Sequence, residues 1–246
     1  MVIDKKHYYD GKPYEILFDR ALKEVRNIIV EQIEPGSLVV DIACGTGSLV
    51  FDLAEKCKSV TGVELSSKMV EHAKHRQELN GKHNANFVHG DATSLPTFKD
   101  KEFDSVLSNQ VFEHVFNPNE FLREINRVTK VDGLFLITVP FVWDEHEQPY
   151  DYARYSSFGL KHILAENGFE IIEHRKSNNG IEVIFQLIND YLYKVIMTEN
   201  VYFNLLIIIL LMAPINMTGL ILSKLLPRNN DLYLDNIVLA KKIKDA

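Results

Sequence analysis

The chain has 246 residues, 46% hydrophobic and 25% charged, with a net charge of −7 and a pI near 5.7. That apolar fraction excludes a disordered chain, and an acidic balance without a basic stripe argues against nucleic acid as a partner. The two cysteines, Cys44 and Cys57, offer neither metal spacing nor a disulfide framework, and the first residues hold no apolar signal core, so the expected location is the cytoplasm.

Residues 1–35 read as a helical lead-in. His7, Tyr8, Tyr9 and Tyr14 precede a helical pattern over 16–33 with Leu17, Ala21, Val25, Ile28 and Ile29 apolar. The apolar run Leu38–Ile42 predicts a strand that ends at the turn Ala43-Cys44-Gly45-Thr46-Gly47. A helical pattern then runs from Ser48 to Lys56. Further strands are predicted at 59–63, 86–89, 104–108 and 134–139. Beyond Pro140 the spacing predicts a helix over 157–167 with Gly168 as its cap, a strand over 169–174, a helix over 181–197 and a last strand over 233–241. Strands that alternate with helices imply a Rossmann-like, doubly wound α/β fold: a parallel sheet with helices on both faces, binding its ligand beyond the carboxyl ends of the strands.

Strand, glycine turn and helix start bring unpaired N–H groups toward a ligand. Glu64 closes the second strand, where a carboxylate accepts bonds from ribose hydroxyls. A nucleoside cofactor is the natural occupant. A dinucleotide fingerprint would require a third glycine where Val50 stands, and Asp41 is extra to it. The run Asp41-Ile42-Ala43-Cys44-Gly45-Thr46-Gly47 instead resembles motif I of the class I S-adenosylmethionine-dependent methyltransferases, with a type 11 methyltransferase-like domain; Ala43 departs from the usual glycine. Phe87–Thr93, Phe103–Asn109 and Asn109–His114 resemble later motifs of that family in register, and Pro118–Gly133 resembles its helix and turn, here Asp132-Gly133, before the fifth strand. The resemblance implies S-adenosyl-L-methionine as cofactor. It would be held by Asp41, Ala43, Cys44, Gly45, Thr46, Gly47, Glu64, Leu65, Met69, Asp91, Ala92, Asn109, Gln110 and His114, with Asp91 on the adenine amino group. It also implies that the last strand is antiparallel and that an N-terminal tyrosine covers the cofactor.

The resemblance makes residues 36–246 one methyltransferase domain, with an acceptor loop at 140–156 and an apolar helical insertion at 181–230. The loop is dense in aromatics and titratable groups: Trp143, Tyr150, Tyr152, Arg154 and Tyr155 are candidate acceptor contacts, and His146 and His114 candidate bases. Asp144, Glu145 and Tyr152 are further candidates for the base. A hydroxyl acceptor on a small molecule, a glycan or a lipid-linked compound fits this composition. Residues 200–223 carry no charged side chain, yet Asn204, Pro214, Asn216, Thr218 and Gly219 interrupt the run. Two apolar helices, broken at Pro214, suit a hairpin at the inner face of a membrane or in a homodimer, a spanning element being the third possibility. The competing classes are a membrane-associated nucleotide-binding module without catalysis and a nucleotide-dependent oxidoreductase.

Overall fold

The structure, a computed structural model, describes residues 31–178 and 180–246. The tyrosines of the lead-in lie outside the described residues. The described chain divides into two compact units, one of residues 31–177 and 234–246, the other of residues 178–233.

The larger unit is a seven-stranded sheet. Its strands are β1 (Leu38–Ile42), β2 (Ser59–Glu64), β3 (Ala85–His89), β4 (Phe103–Asn109), β5 (Thr129–Pro140), β6 (Phe169–Lys176) and β7 (Asp235–Lys242), in the order β3-β2-β1-β4-β5-β7-β6. The first five run parallel and β7 is antiparallel to both its neighbours. Strand order reverses between β1 and β4, and that crevice is where such sheets bind ligands. The connecting helices are α1 (Ser48–Leu53), α2 (Ser67–Asn80), α3 (Pro118–Val128) and α4 (Ser157–Glu166). The apolar runs of β1 and β5 follow from burial on both faces: the neighbours Val39 and Val40, and Phe135, Leu136 and Ile137, are all buried. Phe121, Leu122, Ile125 and Val128 give α3 one apolar stripe, which seats it on the sheet. On its outer side Arg127 bonds the Leu95 and Phe98 carbonyls and the Glu124 carboxylate, fixing the β3–β4 connection.

The turn expected at Asp132-Gly133 does not end an element. β5 starts at Thr129 and runs through it, with Asp132 left-handed at φ 65 and the register of β4 against β5 shifting between Phe103 and Ser105. A Cβ on Gly133 would stand 2.8 Å from the Lys130 carbonyl oxygen. The turn residues thus make a bulge inside a strand, which is why a local reading placed the boundary too late.

The smaller unit holds α5 (Ile181–Ile196), then α6 (Val201–Ile207), a π-helical turn (Ile208–Met212) and α7 (Ala213–Leu225). The expected break at Pro214 is absent: Val201–Leu225 is one continuous helix of 25 residues. Proline removes an N–H donor and crowds the preceding turn. The π turn directly ahead of it widens that stretch, with the Ala213 N–H reaching the Ile208 carbonyl, and the Asn189 side-chain amide donates to the Met212 carbonyl at 3.1 Å. α5 and α7 pack closely because a Cβ on Gly219 would lie 2.8 Å from that of Phe185.

Candidate active site

The glycine loop is shaped by three left-handed residues, Ala43 (φ 55), Gly45 (φ 55) and Gly47 (φ 79). At Gly47 only a glycine fits, since a Cβ would meet the Phe87 ring at 2.5 Å. Ala43 adopts a conformation that costs an alanine roughly 1 kcal/mol, so the alanine stands where glycine would be free of strain. Glu64 organises the loop: its Oε2 accepts the Gly45 N–H at 3.0 Å and its Oε1 the Ser66 N–H at 2.9 Å. Each oxygen keeps a further lone pair. The sequence reading missed Arg76. From α2 it donates to the Thr46 carbonyl at 2.7 Å and to the Thr46 and Ser48 hydroxyls, and it lies over the Phe51 ring. Only the fold brings Arg76 to a loop 30 residues away.

Asp41, at 4% exposure, lies at the end of β1. Burial first, and the Glu64 charge second, push its carboxyl up to about 7. Cys44 is pushed well above the ordinary thiol range by burial, and its Sγ would lie 2.5 Å from a Cβ at Gly62, so it acts as a packed loop residue. A cavity of about 340 Å³ opens at the tips of β2 and β3, lined by Val63, His89, Asp91, Leu95 and Phe98 among others. Asp91 shapes its own turn through Oδ1, which accepts from the Thr93 N–H and hydroxyl. Leu65 is exposed and its carbonyl bonds His89, while the Met69 N–H caps on Ser66. Asn109 and Gln110 are more structural than expected. Asn109 accepts from the Thr138 hydroxyl at 2.6 Å, and Gln110, left-handed at φ 55, donates its amide to half-buried Asp235 at 3.1 Å.

Beyond β4 a single 3₁₀ turn, Phe112–His114, faces the loop that follows β5. Two N–H groups, Tyr152 at 2.9 Å and Ala153 at 3.3 Å, donate to the Glu113 carbonyl and tie the loop down. Around that clamp His114, His146 and Tyr150 come together. The two imidazoles are perpendicular with centroids 4.7 Å apart, and burial lowers the pKa of both. His114 Nδ1 contacts the Tyr150 carbonyl at 2.9 Å, and His146 Nδ1 contacts the Asp144 carbonyl at 3.1 Å and Asp151 at 3.3 Å. At His114 the carbonyl acceptor draws the proton to Nδ1; at His146 the Asp144 and Asp151 acceptors compete there with the Arg154 guanidinium, a donor at 3.4 Å, and with the proton on Nδ1 each Nε2 keeps a lone pair. Both Nε2 atoms face Glu113, at 3.8 and 3.9 Å. Sequence reasoning passed over Glu113 and Asp151. Glu113 is fully buried, and burial raises its carboxyl to about 8. Asp151 is held near 2 by the Arg154 guanidinium, which grips it with both terminal nitrogens. Adjacency of Glu113 to His114 was the one available signal.

The candidate acceptor contacts divide. Tyr150 and Tyr152 are exposed beside the histidines, and Tyr152 meets exposed Phe116 edge to face at 5.4 Å. Arg154 is consumed by the loop itself, bonding Asp151 and the Trp143, Asp144 and Ala153 carbonyls. Tyr155 turns inward and stacks on Phe112 at 4.8 Å, against the core.

The sequence profile of a family described as a methyltransferase domain matches residues 40–137. An uncharacterized protein of Methanocaldococcus jannaschii is 36% identical over 143 residues, covering 56% of this chain and 53% of that protein. A demethylmenaquinone methyltransferase of Geobacillus stearothermophilus is 30% identical over 131 residues, 52% of this chain and 56% of that one. The chain therefore spans about half the length of these curated relatives. Among solved structures, phosphoethanolamine N-methyltransferase 2 of Haemonchus contortus in complex with S-adenosyl-L-methionine has a TM-score of 0.65 at 19% identity, covering 94% of this chain and 56% of that one, a likeness of fold.

Proposed function

We propose that this chain, which carries a methyltransferase domain of the class I S-adenosylmethionine-dependent family, transfers a methyl group to a hydroxyl of a small-molecule, glycan or lipid-linked acceptor. The observation that carries this reading is one edge of the sheet. The glycine loop, Glu64 and the Asp91-lined cavity lie at the carboxyl ends of β1, β2 and β3, and the Glu113–His114–His146 cluster lies beyond β4 and β5.

The residues fit the cofactor. A Cβ at Gly45 would find no atom within 4 Å, so the loop backbone is open to a ligand there, and the neighbouring cavity has room for a base. Asp41 and the loop would hold the amino-acid end, Glu64 the ribose, and Asp91 with the Ala92 N–H the adenine. When bound, the cofactor supplies a methyl group activated by its sulfonium. Val50 is fully buried where a dinucleotide site has its third glycine, which argues against a nicotinamide enzyme.

The chain's own part is to position the acceptor and receive its proton. His146 Nε2, with a lone pair and a depressed pKa, is neutral at physiological pH and suited to take that proton. Tyr150, Tyr152 and Phe116 offer rings on which a sugar or an apolar ring could stack. The long helix Val201–Leu225 exposes Tyr202, Leu206, Ile209, Leu210 and Ile221, and α5 exposes Ile184, Ile188 and Tyr191. An apolar surface of that extent supports contact with a membrane and hence a lipid-linked acceptor.

Titration calorimetry with S-adenosylmethionine and, separately, NAD is the direct test. Heat with the first and none with the second is expected; the reverse refutes the assignment. Transfer of labelled methyl from S-adenosylmethionine to separated lipid, glycan and small-molecule extracts then finds the acceptor class, and label on nitrogen instead of oxygen would refute the hydroxyl.

A further inference from the structure

Glu113 has no exposed surface, and among the described residues neither of its carboxylate oxygens has a hydrogen-bond partner. A buried carboxylate left in that state is costly unless something positive or protic meets it. The two imidazoles do not meet that need directly. At 3.8 and 3.9 Å their Nε2 atoms are too far for a hydrogen bond, and the shorter acceptor contacts, from the Tyr150 and Asp144 carbonyls, are made at Nδ1, where His146 also meets the Arg154 guanidinium at 3.4 Å. Two imidazole nitrogens and one carboxyl oxygen therefore face each other across a common space, all within 4.8 Å, and an ion bound there would take the place of the carboxyl proton.

We propose that Glu113, His114 and His146 are the ligands of a divalent metal ion that also binds the acceptor hydroxyl. Two atoms ~2.1 Å from one ion at a tetrahedral angle stand about 3.4 Å apart. The two separations from Glu113, 3.8 and 3.9 Å, exceed that by about half an ångström, and all three ligand atoms lie within 4.8 Å of one another, so small side-chain rotations would bring them onto one ion. The outer contacts match what metal-bound imidazoles have: His114 donates its far N–H to a backbone carbonyl, and His146 to a carbonyl beside the Asp151 carboxylate. Arg154 pins Asp151 from the other side, so the outer shell is held before any ion arrives. Nitrogen and carboxylate donors suit Zn²⁺, Mn²⁺ or Fe²⁺ better than Mg²⁺, and three protein ligands leave positions open.

Its role rests on the methyl-transfer reading. A hydroxyl bound to the ion becomes more acidic and releases its proton to water. The oxygen lone pair then forms the new C–O bond while the pair of the breaking C–S bond stays on sulfur. His146 would on this account be a ligand and not the base.

The test begins with metal-stripped full-length protein, titrated separately with Zn²⁺, Mn²⁺ and Mg²⁺ by calorimetry, with S-adenosylmethionine affinity measured alongside. One ion per chain is expected, bound in the order Zn²⁺, Mn²⁺, Mg²⁺. His146→Ala and Glu113→Gln should each weaken it at least thirtyfold while cofactor affinity stays within about twofold. The melting temperature of the unaltered protein should rise with the ion, which tests the site without any variant. Absence of binding, or binding that both variants retain, overturns the proposal. Loss of cofactor binding in the unaltered protein would instead strike the methyltransferase reading and leave the metal titration standing.

Discussion

Asp41→Asn separates what the buried carboxylate does for the fold from what it does for the ligand. In the folded chain Asp41 is pushed from 3.8 to about 7, because burial disfavours its charge and Glu64 repels it. Three pH units at about 1.4 kcal/mol each come to roughly 4 kcal/mol, the order of the cost of holding the ionised group at pH 8. The folded chain keeps a proton that the unfolded chain gives up near pH 4, so this contribution lowers stability as pH rises from about 4 to about 7. Asparagine has nearly the same shape and no charge. The variant should be more stable than the parent by ~2–4 kcal/mol at pH 8, and the difference should shrink to near zero at pH 4. Urea denaturation at several pH values measures it. Affinity for S-adenosylmethionine should move the other way, weakening tenfold or more at pH 8. A variant that is less stable at pH 8, or a stability difference of equal size at pH 4 and 8, would refute the reasoning.

Glu64→Gln should weaken cofactor affinity at least tenfold, and Glu64→Ala further, since charge-assisted bonds contribute about 1.5–3 kcal/mol each and Glu64 also holds the Gly45 and Ser66 N–H groups; calorimetry reads both. His146→Ala should slow turnover about a hundredfold or more with cofactor affinity intact, and a parallel fall in affinity would move His146 to the cofactor side. Gly219→Leu should destabilise the α5–α7 pair by about 1–3 kcal/mol, because Phe185 occupies the space, without changing cofactor affinity. Replacing Tyr202–Leu222 by a short Gly/Ser bridge should preserve cofactor binding and abolish sedimentation with liposomes; retained sedimentation, or loss of self-association instead, counts against membrane contact.

The candidate cofactor half could be proposed from sequence because its signals are local. An apolar run ending in Asp41, two glycines and a helix start fall within a dozen residues, and Glu64 closes the next apolar run. Each strand was located to within a residue or two except β5, where a bulge at Asp132 carries the chemistry of a turn. Pro214 misled for a similar reason. Its local rule predicts a break, whereas the chain absorbs the proline in the π turn directly ahead of it, for which residues 208–212 carry no sequence signal. The acceptor half resisted reading because its contacts are long in sequence. Nothing local says that Glu113 carries the 140–156 loop on its carbonyl, or that Arg154 turns back on its own loop and is not free for a ligand.

The contrast between two carboxylates supports the proposal for Glu113. Asp235 is half-buried, and burial raises its pKa as well. It nevertheless receives the Gln110 amide at 3.1 Å and the Ser177 hydroxyl at 2.6 Å, and its own N–H bonds the Ser177 oxygen. Those bonds offset the cost of burial and fasten the start of β7, so Asp235 is explained by the fold. Glu113 is buried more completely than Asp235 and has none of those bonds. Nothing in the fold needs its charge, and a glutamine or leucine there would leave the clamp on its backbone carbonyl in place. A fold retains such a group for what it meets when a ligand arrives. The two imidazole lone pairs aimed at it narrow that ligand to something electron-poor, either an ion or the proton of an acceptor hydroxyl.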